Sequence, residues 1–369
     1  MSSENFTIGV EEEYQIIDPV TRKLRAAQEG ILPKARRALG DEVQPELYLS
    51  QIEAASPICH TLGEVREQLI RLRREVITAA EAVGSRIGAA GTHPFSHWQD
   101  QEVTPKERYL GIEAGYQQLA RENVIFGCHV HIGLNDKEAA LEVLNRVRVW
   151  LTPLLALAAN SPFWLGDDTG YACFRTELWT RWPMAGPPHL FGSRAEYDAL
   201  IRALVETGSV EDASKIYWDV RLPERVSTIE FRITDVCLTV DEAVMIAGLV
   251  RALVLTCYEQ AQRNEEFPRV RQELLRAAHW RAARYGLSSE LIDLNANRSR
   301  PAHEIIESFM QFVRPSLEAT DDFLTISQLV EETLQHGNGA MRQYAVYQRN
   351  GQLNDVVDFV VQETARDIV

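Results

Sequence analysis

The segment GVEEEYQIID, residues 9–18, places three carboxylates side by side between apolar residues. Val10, Tyr14 and Ile16 alternate with Glu11, Glu13 and Gln15, the period-two pattern of a strand with one apolar and one polar face. Glu11 and Glu13 then share a face, and Glu12 falls on the apolar side or near the strand edge. Two like charges on one strand face require a cation between them or an exposed position.

Three further segments repeat the pattern. Gln51 and Glu53 share a face in LSQIEAAS, His129 and His131 in GCHVHIG, and Glu230 and Arg232 in STIEFRIT. Taken singly, each is an ordinary solvated sheet face, since a cross-strand Glu–Arg pair contributes only ~0.2–1 kcal/mol. Jointly they differ from such faces, which are rich in Lys, Thr and Ser, whereas these repeat Glu and His. A face of this kind gathers oxygen ligands for Mg²⁺, which prefers carboxylates, retains waters and commonly grips phosphates as well. An imidazole among them is compatible with Mg²⁺ or Mn²⁺.

The elements that must present these residues alternate short strands with long helices. A helix is expected near Ile31–Leu39, and VQPELYLSQIEAASP, residues 43–57, reads as extended. Apolar residues at 62, 65, 69, 72, 76, 80 and 83 form a helical stripe. RIGAAGTHPF reads as a strand ending at a turn, with His93 structural, and IFGCHVHIGL (125–134) as another strand. A helix from Asp136 to about Ala159 follows it. Beyond a helix around 194–207, KIYWDVRLP and VSTIEFRITDV read as strands. The chain is then mostly helical from Val240, broken near Glu266–Pro268, Asn295–Pro301 and Gly337–Gly339. The expected class is α+β, a mainly antiparallel sheet backed by helices, in one catalytic domain spanning 1–369.

Residues 160–193 interrupt this rhythm with four prolines, four glycines and three of the seven tryptophans. A loop this long inside a compact domain is commonly functional, and its tryptophans argue against disorder. It is the candidate lid, with Trp164, Trp179 and Trp182 as anchors.

Composition narrows the partners. With 38 Lys+Arg against 53 Asp+Glu, the formal net charge is −15, which repels nucleic acid and anionic membranes. No window approaches the ~18 apolar residues of a membrane span, and MSSENFTIGV lacks the basic start and apolar run of a secretory signal. The five cysteines (59, 128, 173, 237, 257) form no CxxC pair, so reduced thiols and a cytoplasmic location are expected. Cys128 and Cys237 fall on apolar strand faces and read as core.

GVEEEY, PELYLSQIE, GTHPF, FGCHVHIG, NSPFW, the R-x-x-x-W-x-RWP loop and IEFRITD occur here in this order. Together with HGNGAMRQYAVY, they resemble the carboxylate–amine ligases of the glutamate–cysteine ligase type 2 family. The resemblance implies a glutamine-synthetase-like fold, a curved antiparallel sheet with helices on its convex side and ATP and Mg²⁺ on the concave one. It also implies phosphorylation of an acid by ATP and capture of the acyl phosphate by an amine. Glutamate and cysteine are the default pair, and a homodimer is expected. Residue by residue, Glu11, Glu13, Glu46, Glu53, His129 and Glu230 match metal or phosphate ligands, with His131 at a variable position. Glu53 and Arg232 match catalytic groups, and Arg232 and His129 face the nucleotide phosphates. Arg175 or Arg181 would take the acid substrate's carboxylate. Two other readings are a zinc hydrolase using His129-x-His131, a motif that opens a parallel barrel in such enzymes, and a non-catalytic relative that would lack the metal carboxylates.

Overall fold

The computed structural model describes residues 6–366 and 368. Its centre is β1 (Ile8–Ile17), which pairs antiparallel with three strands in turn. These are β5 (Gly127–Gly133) over Ile8–Glu12, β3 (Gln51–Ala55) over Glu11–Gln15, and β4 (Arg86–Gly88) over Gln15–Ile17. β2 (Val43–Pro45) extends the sheet beyond β3. On the other side β7 (Thr228–Asp235) pairs with β5, and β6 (Val220–Arg221) forms the edge. The order is β6-β7-β5-β1-β3-β2 with β4 also on β1. Every pairing in this sheet is antiparallel, so the parallel barrel of the zinc-hydrolase reading is not the architecture.

One face of the sheet is sealed by helices. Val240–Gln262, Leu62–Glu81 and Leu151–Leu157 pack against β1, β4, β5 and β7. Val10, Tyr14 and Ile16 meet them from β1, with Cys128, Val130 and Ile132 from β5, all buried. Helix ends are fixed as their residue types demand. Thr61 caps one helix and Asp136 another, while Thr239 and Glu242 close a capping box at Val240. No described helix is long and apolar enough to cross a membrane.

Glu12 lies on this helix-backed face and is wholly buried. A buried carboxylate is tolerable only when paired and hydrogen-bonded, and Arg73 from helix Leu62–Glu81 supplies the pair. Its Nε donates to Glu12 Oε2 at 3.0 Å, while its Nη atoms also donate to the carbonyls of Cys237 and Leu238. The Tyr14 hydroxyl donates to Glu12 at 2.6 Å. The three adjacent glutamates thus divide between the core and the open face.

The helix expected from Asp136 to Ala159 is broken: Lys137–Val147 gives way to a 3₁₀ turn at Arg148–Trp150 before Leu151–Leu157. Pro153 explains the break, since proline fits a first turn but clashes inside a continuous helix. Residues 160–193 carry more structure than a loop. Phe163–Trp164 pairs with Asp167–Asp168, Phe174–Trp179 is a short helix, and Ala185–Gly186 pairs with Tyr217–Trp218. The helix Glu107–Tyr116 and the hairpin Glu290–Asp293/Arg298–Pro301 were not foreshadowed by the sequence.

Candidate active site

The open face of the sheet lines a cavity of about 430 Å³. Strand register assembles its acidic wall. Glu13 is opposite Glu53 and Glu11 is opposite His129, all four at the cavity, while Glu230, opposite both His131 and Arg221, lies beside it. Glu46 enters from the turn between β2 and β3, its carboxylate held by the Leu47 N–H at 2.9 Å. Two trios result: Glu11, His131 and Glu230, and Glu13, Glu46 and Glu53, each with ligand atoms within 4.8 Å of one another.

His129 sits between the trios. Its Nδ1 lies 3.1 Å from Glu11 Oε2, an arrangement that puts the proton on Nδ1. Nε2 has no hydrogen-bond partner among the described residues and lies 3.8 Å from Glu13 Oε1. Burial and the Arg232 charge lower the His129 pKa, so a neutral imidazole turns a lone pair toward a carboxylate. Such an arrangement fits a cation. The donor set of carboxylate oxygens and one or two imidazole nitrogens suits Mg²⁺ or Mn²⁺, whereas zinc would favour nitrogen and sulfur.

The carboxylates are not equivalent. Burial and the neighbouring Glu13 push Glu46 up to about 7. Burial, followed by the charges of Glu11, Glu46 and Glu13, raises Glu53 well above the usual carboxylate range. Burial acts on Glu11 in the same direction, but hydrogen bonds from His129 and His131 hold it well below that range. Glu230 is buried rather than solvated. Burial opposes its ionisation, yet the Arg232 and Arg221 guanidinium groups keep its pKa low. Arg221 Nε donates to it at 2.6 Å, and Arg232 donates to its other oxygen. Arg232 remains a cation: burial works against its charge, but Glu230, Glu13 and Glu11 raise its pKa.

The opposite wall is cationic and aromatic. Arg175, on helix Phe174–Trp179, enters the cavity and donates from Nη2 to the Arg232 carbonyl at 3.2 Å. It passes so close to β5 that a Cβ at position 127 would stand 2.4 Å from its Nη2. Glycine is needed there, and the Gly127 N–H also binds Glu13 at 2.6 Å. Trp179, Trp182 and Tyr217 pack at centroid distances of 5.1–5.6 Å, and the Arg232 guanidinium carbon lies 5.9 Å from the Trp179 ring.

Arg181 does not line the cavity. It pairs with Glu122 at 2.6 Å near the surface. Trp164 packs on Phe174 behind the wall and does not line the cavity either. Sequence reasoning missed Arg221, Lys106, Arg108 and Tyr109, all at the cavity. Of these, Arg221 was detectable, because it sits on a strand that reads as such, two residues past Asp219 in KIYWDVRLP. Gln51 shares Glu53's face and lines the same cavity, its Nε2 donating to the Ile125 carbonyl at 2.8 Å. His93 is buried, with Nε2 on the Arg22 carbonyl at 2.8 Å and Nδ1 accepting the Ser96 N–H at 3.0 Å. It is a fixed structural group.

Comparison with known proteins agrees over the whole length. The model of glutamate–cysteine ligase family 2 matches residues 7–359. A Rhodopirellula baltica protein provisionally named glutamate–cysteine ligase 2 is 42% identical, covering 99% of this chain and 98% of its own. One from Herpetosiphon aurantiacus with the same provisional name is 39% identical, covering 98% and 94%. Among solved structures, a Francisella tularensis glutamate–cysteine ligase in complex with AMP superposes with TM-score 0.73 at 11% identity, covering 99% of this chain and 89% of that one. A Pasteurella multocida bifunctional glutathione synthetase also gives 0.73, at 16% identity, with 99% of this chain and 53% of that one. The antiparallel sheet with helices on one side is the glutamine-synthetase-like fold of these neighbours. The chain belongs to glutamate–cysteine ligase family 2.

Proposed function

We propose that the protein is an ATP-dependent carboxylate–amine ligase, with glutamate and cysteine the default pair by the names of its relatives. The observation that carries this reading is the cluster of Glu11, Glu13, Glu46, Glu53 and His129 on the wall of a cavity that also holds Arg232, with His131 and Glu230 completing a second trio around Glu11 beside it.

Making an amide from a free acid requires activation. Transferring the γ-phosphoryl group to the acid's carboxylate gives an acyl phosphate and ADP; the amine nitrogen then attacks the acyl carbon, and phosphate leaves. The first step brings two anions together, so charge neutralisation and alignment dominate the barrier. Mg²⁺, which the carboxylates of the two trios would hold, would supply positive charge to offset that of the phosphates. Arg232, permanently charged and buried, is assigned to the transferred group; cationic fingers in other enzymes are worth ~10³–10⁵ in rate. Glu53 is assigned to metal binding and catalysis, and Arg175 to the acid's second carboxylate, since its buried Nε has no partner among the described residues. Trp179 and Trp182 would exclude water from the acyl phosphate.

The test is ADP release with Mg²⁺ across a panel of acids and amines. An acid–amine pair that raises release above the background with Mg²⁺ and ATP alone supports the reading. No stimulation by any pair refutes it.

A further inference from the structure

We propose that Asp235 is the positioning residue that sets Arg175 in the cavity, acting through Ser161 and Cys173. The proposal rests on the ligase reading in one respect, that Arg175 receives the free carboxylate of the acid.

Asp235 ends β7, the strand that carries Arg232. The β5–β7 register shifts between Phe231 and Thr234, and such irregularities re-aim the side chains that follow. Asp235 Oδ2 accepts the Asn160 N–H at 2.7 Å and the Ser161 hydroxyl at 2.7 Å, while Oδ1 accepts the Cys173 thiol at 3.1 Å. Ser161 Oγ in turn accepts the backbone N–H of Arg175 at 3.1 Å. Backbone bonds from Ser161 N to Ala172 O and from Phe174 N to Ser161 O lock the two ends of this segment together. One carboxylate therefore gathers residues 160–161 and 173–175 and fixes where the Arg175 side chain begins.

The packing allows little else. Asp235, Ser161 and Cys173 are fully buried, and a Cβ at Gly91 would stand 2.5 Å from the Asp235 carboxylate. Asn160 is clamped from outside, its side-chain amide on the carbonyls of Ala89 and Val236 and its oxygens on Gln343. Asp235 is also a countercharge. Arg175 forms no ion pair among the described residues, although it acts electrostatically on Asp235. An asparagine at 235 would keep the shape but turn N–H groups toward donors and remove that charge.

Steady-state kinetics with L-glutamate and L-cysteine, with ADP as readout, test this. Ser161→Ala should raise the KM for glutamate about tenfold, the loss of roughly one hydrogen bond. The kcat and the KM for ATP should stay within about twofold of wild type. Asp235→Asn should raise the glutamate KM further, and Cys173→Ser, which keeps a donor to Asp235, should behave as wild type. A parallel fall in kcat, ATP affinity and thermal midpoint in Ser161→Ala would mean ordinary structural damage and overturn the proposal, as would an unchanged glutamate KM. If wild type makes no ADP with glutamate and any amine, the default acid is wrong, and the positioning role is judged by amide hydrogen exchange. Ser161→Ala must then speed exchange across Phe174–Trp179 and leave β7 protected; unchanged exchange overturns it.

Discussion

Glu13 and Glu53 stand directly opposite each other on adjacent antiparallel strands, with Glu46 beside them, and among the described residues none of the three forms an ion pair with a lysine or arginine. Like charges in this register are destabilising, so the metal-free protein carries stored repulsion. Glu53→Gln removes part of it together with one ligand. The expected result is a loss of roughly a hundredfold or more in kcat/KM, while the thermal midpoint in EDTA is equal to or above wild type. A midpoint several degrees lower would contradict this account.

The same repulsion gives a pH dependence. Glu46 titrates near 7 in the folded chain against an ordinary value of 4.5. Between those limits the folded state binds more protons than the unfolded one, so the metal-free protein loses stability as pH rises, by up to about 3 kcal/mol for this group. Metal binding requires the ionised form. Saturating Mg²⁺ should therefore raise the melting temperature more at pH 8 than at pH 6. Equal shifts would count against the trio as its site.

His93 predicts the opposite slope. Burial lowers its pKa from 6.5 to about 4, against the opposing hydrogen bond to the Arg22 carbonyl, and Nδ1 accepts two backbone N–H groups. The unfolded chain binds the extra proton between these values, so stability falls as pH drops through that window, by up to about 3 kcal/mol. Denaturant midpoints from pH 7 to pH 4 should fall less steeply in His93→Gln than in wild type.

Arg73 and Glu12 form a buried pair on the helix-backed side of β1, the face turned away from the cavity. Removing either partner strands a charge and should cost about 3–5 kcal/mol. The double change Glu12→Gln/Arg73→Met should recover much of that loss in a double-mutant cycle. Specific activity per folded molecule should change little in any of the three.

Arg181→Ala removes only a partly exposed pair with Glu122, worth at most ~1 kcal/mol. Kinetic constants should stay near wild type, whereas Arg175→Ala should raise the KM for the acid sharply. A large effect of Arg181 alone would relocate the carboxylate subsite.

What the sequence disclosed followed physical regularity. The period-two strands at 9–18, 51–55, 127–133 and 228–235, and the stripe of helix Leu62–Glu81, were legible because one face of each packs on a core. Helix Glu107–Tyr116 was not, since Ile112 alone among its residues is buried and no stripe marks it. Its Arg108 and Tyr109 stayed hidden with it. The hairpin Glu290–Pro301 is mostly polar, so its alternation carries no core signal. Glu12 was ambiguous until Arg73 appeared, because a charge on an apolar face is intelligible only with its distant partner. The choice between Arg175 and Arg181 depended on the helix Phe174–Trp179, which carries Arg175 to the sheet and ends before Arg181.

β1 has further significance because it borders three other strands. Its neighbours lie far along the chain, and each contact closes a long loop, which makes nucleation slow and non-local. The acidic cleft therefore cannot exist in any fragment that ends before β7. During synthesis β1 can pair with β3 once Ala55 has emerged, but the acidic face stays incomplete until Glu230 and Arg232 follow on β7. Complete folding and a complete acidic cleft should then appear together.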